Sequence, residues 1–255
     1  MTRKIWIAIL AFVLLGALNA NAQVGKDTTL WDFTEKDAQH HQPIVQISAG
    51  EGIGTGIIIA VDTTKPIRDG YEGYCLTAWH VVQGSANTDT IRIKYRNGRK
   101  GKQCRIVQKD PETDIAILWV WVPADIPAAE LANEPIKSGD KLEFAGLGGG
   151  SELKCCLRHF RGTASSPSTL NKIFADVPLL PGDSGGPVFN NRHQVVGVIS
   201  GGWFWWDAEL TTMNGSKINA TWPARASNVE PIKVLMAKVG SDNTVTNQQT
   251  ADISR

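Results

Sequence analysis

Short apolar stretches separated by glycine, asparagine and aspartate dominate the hydrophobic pattern of this chain. Residues 229–239 instead repeat apolar positions at helical spacing, and Asn228 before them is a suitable helix cap. We therefore expect an all-β protein of two packed six-stranded antiparallel β-barrels with a C-terminal α-helix. The strands are predicted near 43–48, 55–61, 73–78, 90–95, 102–108 and 115–122, and then near 140–146, 153–163, 171–177, 187–190, 194–200 and 217–222.

The first 22 residues have the pattern of a secretory signal peptide. Arg3 and Lys4 precede an apolar run of 14 residues, Ile5 to Leu18. A membrane span needs ~20 residues, and the small residues around Asn21 form a cleavage site. We predict cleavage after Ala22 and export to the periplasm or the outside of the cell. An uncleaved membrane anchor is the alternative.

The remaining chain has the length of one compact domain, which we place at residues 23–240. We expect the first barrel at about 43–122, the second at about 137–225 and a disordered tail at 241–255. Removing residues 1–22 takes away two of 26 basic residues and none of 25 acidic ones, which leaves a net charge of −1. This balance gives no electrostatic reason to expect a nucleic acid or, after signal removal, a membrane as partner.

Four cysteines remain after export, at positions 75, 104, 155 and 156. An oxidising compartment permits disulfides, and four cysteines allow three pairings. Cys75 and Cys104 fall on predicted strands of the first barrel, so we expect a disulfide between them if they are neighbours. Cys155 and Cys156 are adjacent and lack the spacing of metal ligands.

The hexapeptide Gly182–Pro187, GDSGGP, is the most specific chemical signal in the chain. Its glycines permit a tight turn and leave backbone amides uncovered around the hydroxyl of Ser184. The amides of Gly182 and Ser184 would then form an oxyanion hole for a carbonyl oxygen that becomes negative during acyl transfer. We predict that Ser184 is a nucleophile.

A nucleophilic serine needs a base and an acid that orients the base. Among the five histidines, His80 closes an apolar stretch, and the end of a strand is a rigid place for an imidazole. Asp114 directly precedes the apolar run 115–122, where a carboxylate requires a hydrogen-bonded partner. Asp110, the competing acid, is followed by proline and is better suited to closing a turn. We predict His80 as the base and Asp114 as the acid.

The order of these motifs resembles that of chymotrypsin-type serine peptidases. The motifs are TAWH at 77–80, TDIAIL at 113–118 and GDSGGP at 182–187. The chain is most similar to the compact bacterial HtrA/Deg-like branch, and the resemblance spans about residues 43–239. It implies a serine endopeptidase that acts on proteins or peptides and needs no metal or organic cofactor. Too few residues follow the predicted helix for a PDZ domain, so we expect none.

The resemblance also places a substrate pocket before Gly182 and along residues 200–202. Pro178 stands where trypsin-like enzymes hold an aspartate, so a preference for lysine or arginine is not expected. With Ser200, Gly201 and Gly202 as an open wall, we predict cleavage after apolar residues. Asp176 is the alternative lining residue, and it would change this specificity.

Asp183 departs from the HtrA-like pattern, in which asparagine is more common before the serine. If Asp183 is buried, it requires a partner. His40, His41 and the mature amino terminus are the candidates.

Two other functions remain open at this point. The chain could be an inactive peptidase homologue that binds peptides or proteins through its cleft, or an esterase with the same chemistry. The sequence does not determine the oligomeric state.

Overall fold

A computed structural model describes residues 39–50, 52–85, 90–101, 104–148, 157–165, 169, 171–202, 208–211, 217–220 and 224–239. All of them lie within one unit, Phe33–Arg255. The predicted signal peptide, Cys155, Cys156 and the predicted tail lie outside the described residues. No helix in the described part of the chain has the length and apolar character that a membrane crossing requires.

The first half of the chain folds into a seven-stranded antiparallel sheet. Its order is β5-β4-β1-β2-β3-β7-β6. Tyr95, directly after β4, donates its hydroxyl proton to the carbonyl oxygen of Trp121 in β7, so the sheet curls into a half-barrel. The strands are β1 (Ile44–Ala49), β2 (Gly52–Ile67), β3 (Gly70–Thr77), β4 (Ile91–Lys94), β5 (Lys100–Gly101), β6 (Arg105–Asp110) and β7 (Ile115–Pro123).

The second half closes a six-stranded barrel in the order β10-β15-β12-β11-β8-β9. Two further strands, β13 and β14, pair only with each other. The predicted strand near 217–222 is therefore not part of this barrel, whose sixth strand is β15. The strands are β8 (Lys141–Gly146), β9 (Arg158–Ser165), β10 (Lys172–Ala175), β11 (Pro187–Phe189), β12 (Val195–Gly202), β13 (Ala208–Thr211), β14 (Lys217–Ala220) and β15 (Ala224–Asn228).

The small residues of β15 explain why the pattern missed it. The segment lacks the β-branched and aromatic residues that indicate strands. In the barrel it approaches β12 so closely that a side chain at Gly197 would meet the carbonyl oxygen of Ser227 at 2.2 Å. This approach requires glycine at position 197 of β12. The second barrel extends to Asn228 instead of ending near 225.

Three helical segments complete the described fold. A 3-10 helix, Gln39–His41, precedes β1, and the single-turn helix α1, Trp79–Val82, follows β3. The predicted C-terminal helix is confirmed as α2, residues 229–239. The side-chain oxygen of Asn228 accepts the Val229 amide at 2.8 Å, as expected of a helix cap.

Two apolar clusters form the described core, and one of them joins the half-barrel to the barrel. One fills the first sheet and includes Ile47, Ile58 and Val120, all fully buried. The other joins Ile57 and Leu76 of the first sheet to Phe189 of the second barrel. It also takes in buried residues of α2. The predicted all-β architecture of two packed halves with a C-terminal helix is confirmed, but the first half is a seven-stranded half-barrel instead of a six-stranded barrel.

The expected disulfide between Cys75 and Cys104 does not form, and both thiols are free and buried. Cys75 lies in β3 and Cys104 directly precedes β6, and β7 runs between these two strands. The two cysteines are therefore not on neighbouring strands, which was the condition for the expected disulfide. Burial raises the pKa of Cys75 well above its ordinary value and that of Cys104 to about 12, so both thiols stay protonated.

Candidate active site

His80 lies in α1, immediately beyond the end of β3, instead of on the strand itself. Its ring nitrogen Nδ1 lies 2.7 Å from Oδ2 of Asp114. Its backbone amide donates to Oδ1 of the same carboxylate at 2.9 Å. Because one carboxylate contacts both the ring and the backbone of His80, the imidazole has a fixed orientation. The side chain of His80 is 38% exposed, so the ring remains accessible.

Asp114 occupies a left-handed backbone conformation with φ of 60° at the end of the turn before β7. This conformation is uncommon for a residue with a side chain. Ser227 of β15 holds the turn by donating its hydroxyl proton to the carbonyl oxygen of Thr113. Burial raises the pKa of Asp114, but hydrogen bonds from His80 and Ser200 outweigh it, so the pKa lies below its ordinary value. The carboxylate is therefore ionised at neutral pH.

Asp110 has the turn-closing role that its sequence context predicts. Its Oδ1 accepts the amide of Glu112 at 3.0 Å, and its Oδ2 accepts the hydroxyl of Thr113 at 2.6 Å. Asp110 thus shapes the turn that presents Asp114, and its own carboxylate is used within that turn.

The loop that carries Ser184 is held between the two sheets. The carbonyl oxygen of Ser184 accepts the Thr55 amide of β2 at 2.8 Å, and the Gly185 amide donates to Ile199 of β12 at 2.8 Å. Gly185 has φ of 84°, and a side chain there would lie 2.1 Å from the carbonyl oxygen of Thr55. Only glycine fits this position, which sets Ser184 against β2 and near the start of α1.

The amides around Ser184 differ in whether they have an acceptor. Asp183 and Gly185 use their amides within the fold, donating to Leu180 and Ile199. Among the described residues, the amides of Gly182 and Ser184 donate to no acceptor. Gly182 reaches this geometry with φ of 99°, and its carbonyl oxygen is fixed by the hydroxyl of Thr55 at 2.7 Å. Two donors thus remain available beside the serine hydroxyl.

The described side chains of Ser184 and His80 do not form a hydrogen bond with each other. The segments that carry both residues nevertheless meet at Gly54 of β2. A side chain at Gly54 would contact Val81, the neighbour of His80, and would lie 3.1 Å from the carbonyl oxygen of Ser184. In enzymes without bound substrate, such contacts are often long and shorten only in the complex.

Asp183 is buried, and its partner is Arg158, which the sequence did not indicate. The guanidinium nitrogen of Arg158 lies 2.6 Å from Oδ2 of Asp183, and both side chains are at most 1% exposed. The amides of Gly148 and Leu180 also donate to this carboxylate, each at 2.8 Å. The alternation of β9 could have marked Arg158 as inward-facing, because Arg158 and Phe160 are buried while Arg161 is exposed.

The two histidines considered as partners of Asp183 lie elsewhere. His40 and His41 both direct Nε2 at Oε1 of Glu143 in β8, at 3.2 Å and 2.5 Å. The expectation that one of them pairs with Asp183 is therefore wrong. The two carboxylates lie at different positions along the β8–β9 pair. Glu143 is at the position that pairs with Arg161, whereas Asp183 lies against Gly146, which pairs with Arg158.

Ser200, expected on a pocket wall, also contacts Asp114. Its hydroxyl donates to Oδ2 of Asp114 at 2.5 Å, so Ser200 helps to hold the carboxylate that orients His80. Arg225 of β15 donates from its guanidinium to the Ser200 hydroxyl at 3.2 Å. Sequence reasoning missed Arg225, because its strand was not predicted.

The other predicted pocket residues lie in two places, the end of β12 and the segment before the Ser184 loop. Gly201 and Gly202 end β12, where they pair with Arg225 and Ala224 of β15. Pro178 is half-buried in the segment before the Ser184 loop, and Asp176, the alternative lining residue, is exposed.

Comparison with known families and proteins gives matches over this same region. The family model described as a trypsin-like peptidase domain matches residues 54–198. A relative from Pseudomonas putida, named a probable periplasmic serine endoprotease DegP-like, is 32% identical over 154 residues, which are 59% of this chain and 29% of the relative. A Marinomonas relative with the same name is 30% identical over 152 residues, covering 58% of this chain and 29% of that relative. This chain therefore spans less than a third of the length of the curated relatives it matches.

Solved structures give the same fold. The crystal structure of the serine endoprotease from Yersinia pestis matches with a TM-score of 0.59 at 18% identity, over 84% of this chain and 69% of that one. This match shows the fold alone. The family match and the similarity to DegP-like relatives confirm the resemblance to chymotrypsin-type peptidases of the HtrA/Deg-like branch that the sequence motifs indicated.

Proposed function

Because this chain belongs to the trypsin-like peptidase domain family, we propose that it is a serine endopeptidase with Ser184, His80 and Asp114 as its catalytic triad. The observation that carries the proposal is the His80–Asp114 pair, together with a serine whose own amide and that of Gly182 donate to no acceptor among the described residues. The matched relatives are named serine endoproteases, which also supports hydrolysis of peptide bonds and gives no support to the inactive alternative.

In the proposed reaction, the Ser184 hydroxyl oxygen attacks the carbonyl carbon of the scissile peptide bond while Nε2 of His80 takes its proton. The carbonyl electron pair moves onto the oxygen, and the amides of Gly182 and Ser184 bind that oxyanion. When the tetrahedral intermediate collapses, His80 returns the proton to the leaving amine and an acyl-enzyme remains. Water activated by His80 then hydrolyses the ester and regenerates Ser184.

Asp114 stabilises the charged imidazole that forms during this transfer. Its contact to Nδ1 keeps the proton on that nitrogen, which leaves Nε2 free to accept from Ser184. The hydrogen bond from Ser200 and the second contact to the His80 amide prevent the carboxylate from rotating away. We expect the missing Ser184–His80 hydrogen bond to form once a substrate is bound.

We further propose that the protein is exported to the periplasm or outside the cell. The charged start, short apolar run and cleavage site at residues 1–22 support export. The relatives named periplasmic endoproteases favour the periplasm.

Covalent labelling tests the proposed nucleophile directly. A fluorophosphonate probe should modify the purified protein at Ser184, and Ser184→Ala should abolish the labelling. Ser48→Ala, which removes a hydroxyl from β1, should label like the wild type. Modification mapped by mass spectrometry to another serine would contradict the assignment. No labelling of folded protein would favour the inactive binding homologue, and turnover of small esters without peptides would favour an esterase.

We propose that cleavage occurs after apolar residues. Arg225 lies beside the wall formed by Ser200, and its charge would repel a lysine or arginine side chain in the pocket. The buried Leu179 and Leu180 lie next to Pro178 along the chain.

A peptide panel varied at the residue before the cleaved bond should therefore show higher kcat/KM for aliphatic residues than for lysine or arginine. Arg225→Leu should leave the order among aliphatic residues unchanged. A strong preference for lysine or arginine would contradict the proposal. A preference for aspartate or glutamate that disappears in Arg225→Leu would also contradict it and would identify Arg225 as the specificity residue.

A further inference from the structure

Histidines from three separate parts of the chain gather around Glu143, far along the sequence from His80. His40 and His41 come from the 3-10 helix before β1, and His159 comes from β9. His193, in the turn between β11 and β12, stacks on His40 with ring centroids 3.9 Å apart. Four of the five histidines in the chain are thus used here, and none of them belongs to the proposed triad.

The side chains of His40, His41 and Glu143 place ligand atoms within reach of one ion. One ring nitrogen of His40, one ring nitrogen of His41 and one carboxylate oxygen of Glu143 lie no farther than 4.8 Å from one another. Zinc bonds of about 2 Å in a tetrahedral arrangement hold ligand atoms about 3.3 Å apart. The His40–Glu143 separation of 3.2 Å already has this value, and the His41–Glu143 separation of 2.5 Å requires a small side-chain rotation.

Metal binding requires each histidine to present an unprotonated ring nitrogen and the glutamate to present its carboxylate. The Nε2 proton of each histidine would move to Nδ1 or be released on binding.

A groove gives an ion access to the cluster. Its volume is about 430 Å³, and it is lined by Gln39, His40, Pro43, residues 127–130 and His193. The groove reaches His40 from the solvent side, whereas His41 and Glu143 are at most 9% exposed on the protein side. Such a site can accept three protein ligands and leave a fourth position for water.

We propose that His40, His41 and Glu143 bind one Zn²⁺ ion. Two imidazoles and a carboxylate are ligands that favour zinc over magnesium or calcium. The ion would link the 3-10 helix before β1 to strand β8 of the second barrel. Its role is structural, and the proposed hydrolysis at Ser184 proceeds without it. This inference does not depend on the proposed peptidase activity.

Metal titration of chelator-treated protein without a polyhistidine tag tests the site. Calorimetry should give one Zn²⁺ per chain, and Zn²⁺ should raise the thermal unfolding temperature. Co²⁺ in the same site should give the absorption bands of a tetrahedral complex. His40→Gln and Glu143→Gln should each weaken Zn²⁺ binding at least about tenfold, since even losing a partner of a ligand costs that much.

Two further variants distinguish this site from other zinc-binding positions. His193→Gln removes a stacked ring and no ligand, so it should bind Zn²⁺ like the wild type. His80→Gln should also retain binding. His40→Gln keeps the His41–Glu143 hydrogen bond, so a folded variant is expected, and circular dichroism checks this. Absence of binding, or equal binding by the wild type, His40→Gln and Glu143→Gln, would overturn the proposal. So would binding that is lost only in His80→Gln.

Discussion

Asp114→Asn is expected to lower kcat for peptide hydrolysis about 10⁴-fold while leaving KM nearly unchanged. An asparagine fits the same space but presents an amide donor or a neutral oxygen to Nδ1 of His80. The imidazole then loses the carboxylate that fixes its tautomer and stabilises its positive charge. Steady-state kinetics on the best peptide from the specificity panel would measure both constants.

Asp110→Asn is the matched control for this prediction, because it makes the same chemical change in the same turn. Asp110 accepts hydrogen bonds only from Glu112 and Thr113 among the contacts described above, and it does not contact His80. Its loss should cost some stability and change kcat by less than about threefold, a small effect on the barrier. If both variants lost activity equally, the turn as a whole would matter and the assigned role of Asp114 would be wrong.

Arg158→Met is expected to destabilise the protein by about 3–5 kcal/mol. Methionine replaces most of the volume of the arginine but leaves the Asp183 carboxylate buried without a counter-charge. Urea unfolding of both proteins would measure the difference. Arg161→Met, three residues further along β9 at an exposed position, should change stability by no more than about 0.5 kcal/mol.

The stability lost in Arg158→Met should be larger at neutral pH than at acidic pH. The pKa of Asp183 lies above its ordinary value, because burial raises it by more than the charge of Arg158 and the backbone amides lower it. Without Arg158, the folded-state pKa rises further above the unfolded value, so the variant loses more stability than the wild type as the pH rises through that range. The deficit should therefore shrink between about pH 7 and about pH 4.

A double variant separates charge from packing. Adding Asp183→Asn to Arg158→Met removes the unpaired charge and should recover part of the lost stability. If the double variant were as unstable as Arg158→Met and the deficit were constant with pH, lost packing would explain the effect. The Arg158–Asp183 pair would then have no electrostatic role in holding the Ser184 loop.

The proposed catalytic residues could be predicted from the sequence because local constraints mark them. Glycines around Ser184 are required by the close approach of β2, and the aspartate before β7 follows a turn that Asp110 closes. Each of these features falls within a short run of consecutive residues. The alternation and turn signals that locate most strands are equally local.

The contacts that the sequence did not predict join distant residues. His41 and Glu143 are separated by 102 positions, and Arg158 and Asp183 by 25. A basic residue in a strand is usually exposed, so nothing in the composition of β9 identified Arg158 as the partner of Asp183. The hydroxyl of Ser200 could be placed near the pocket, but its bond to Asp114 depends on how the two halves pack.

The free thiols of Cys75 and Cys104 bear on when the first half of the molecule can form. Its interior is filled by apolar contacts and two protonated sulfur atoms, with no covalent cross-link between them. Folding of this half therefore does not depend on the redox potential of its compartment, which governs the maturation of many exported domains. It can assemble in a reducing cytoplasm as readily as in an oxidising periplasm, and an exported chain must be kept unfolded by some other means until it has crossed.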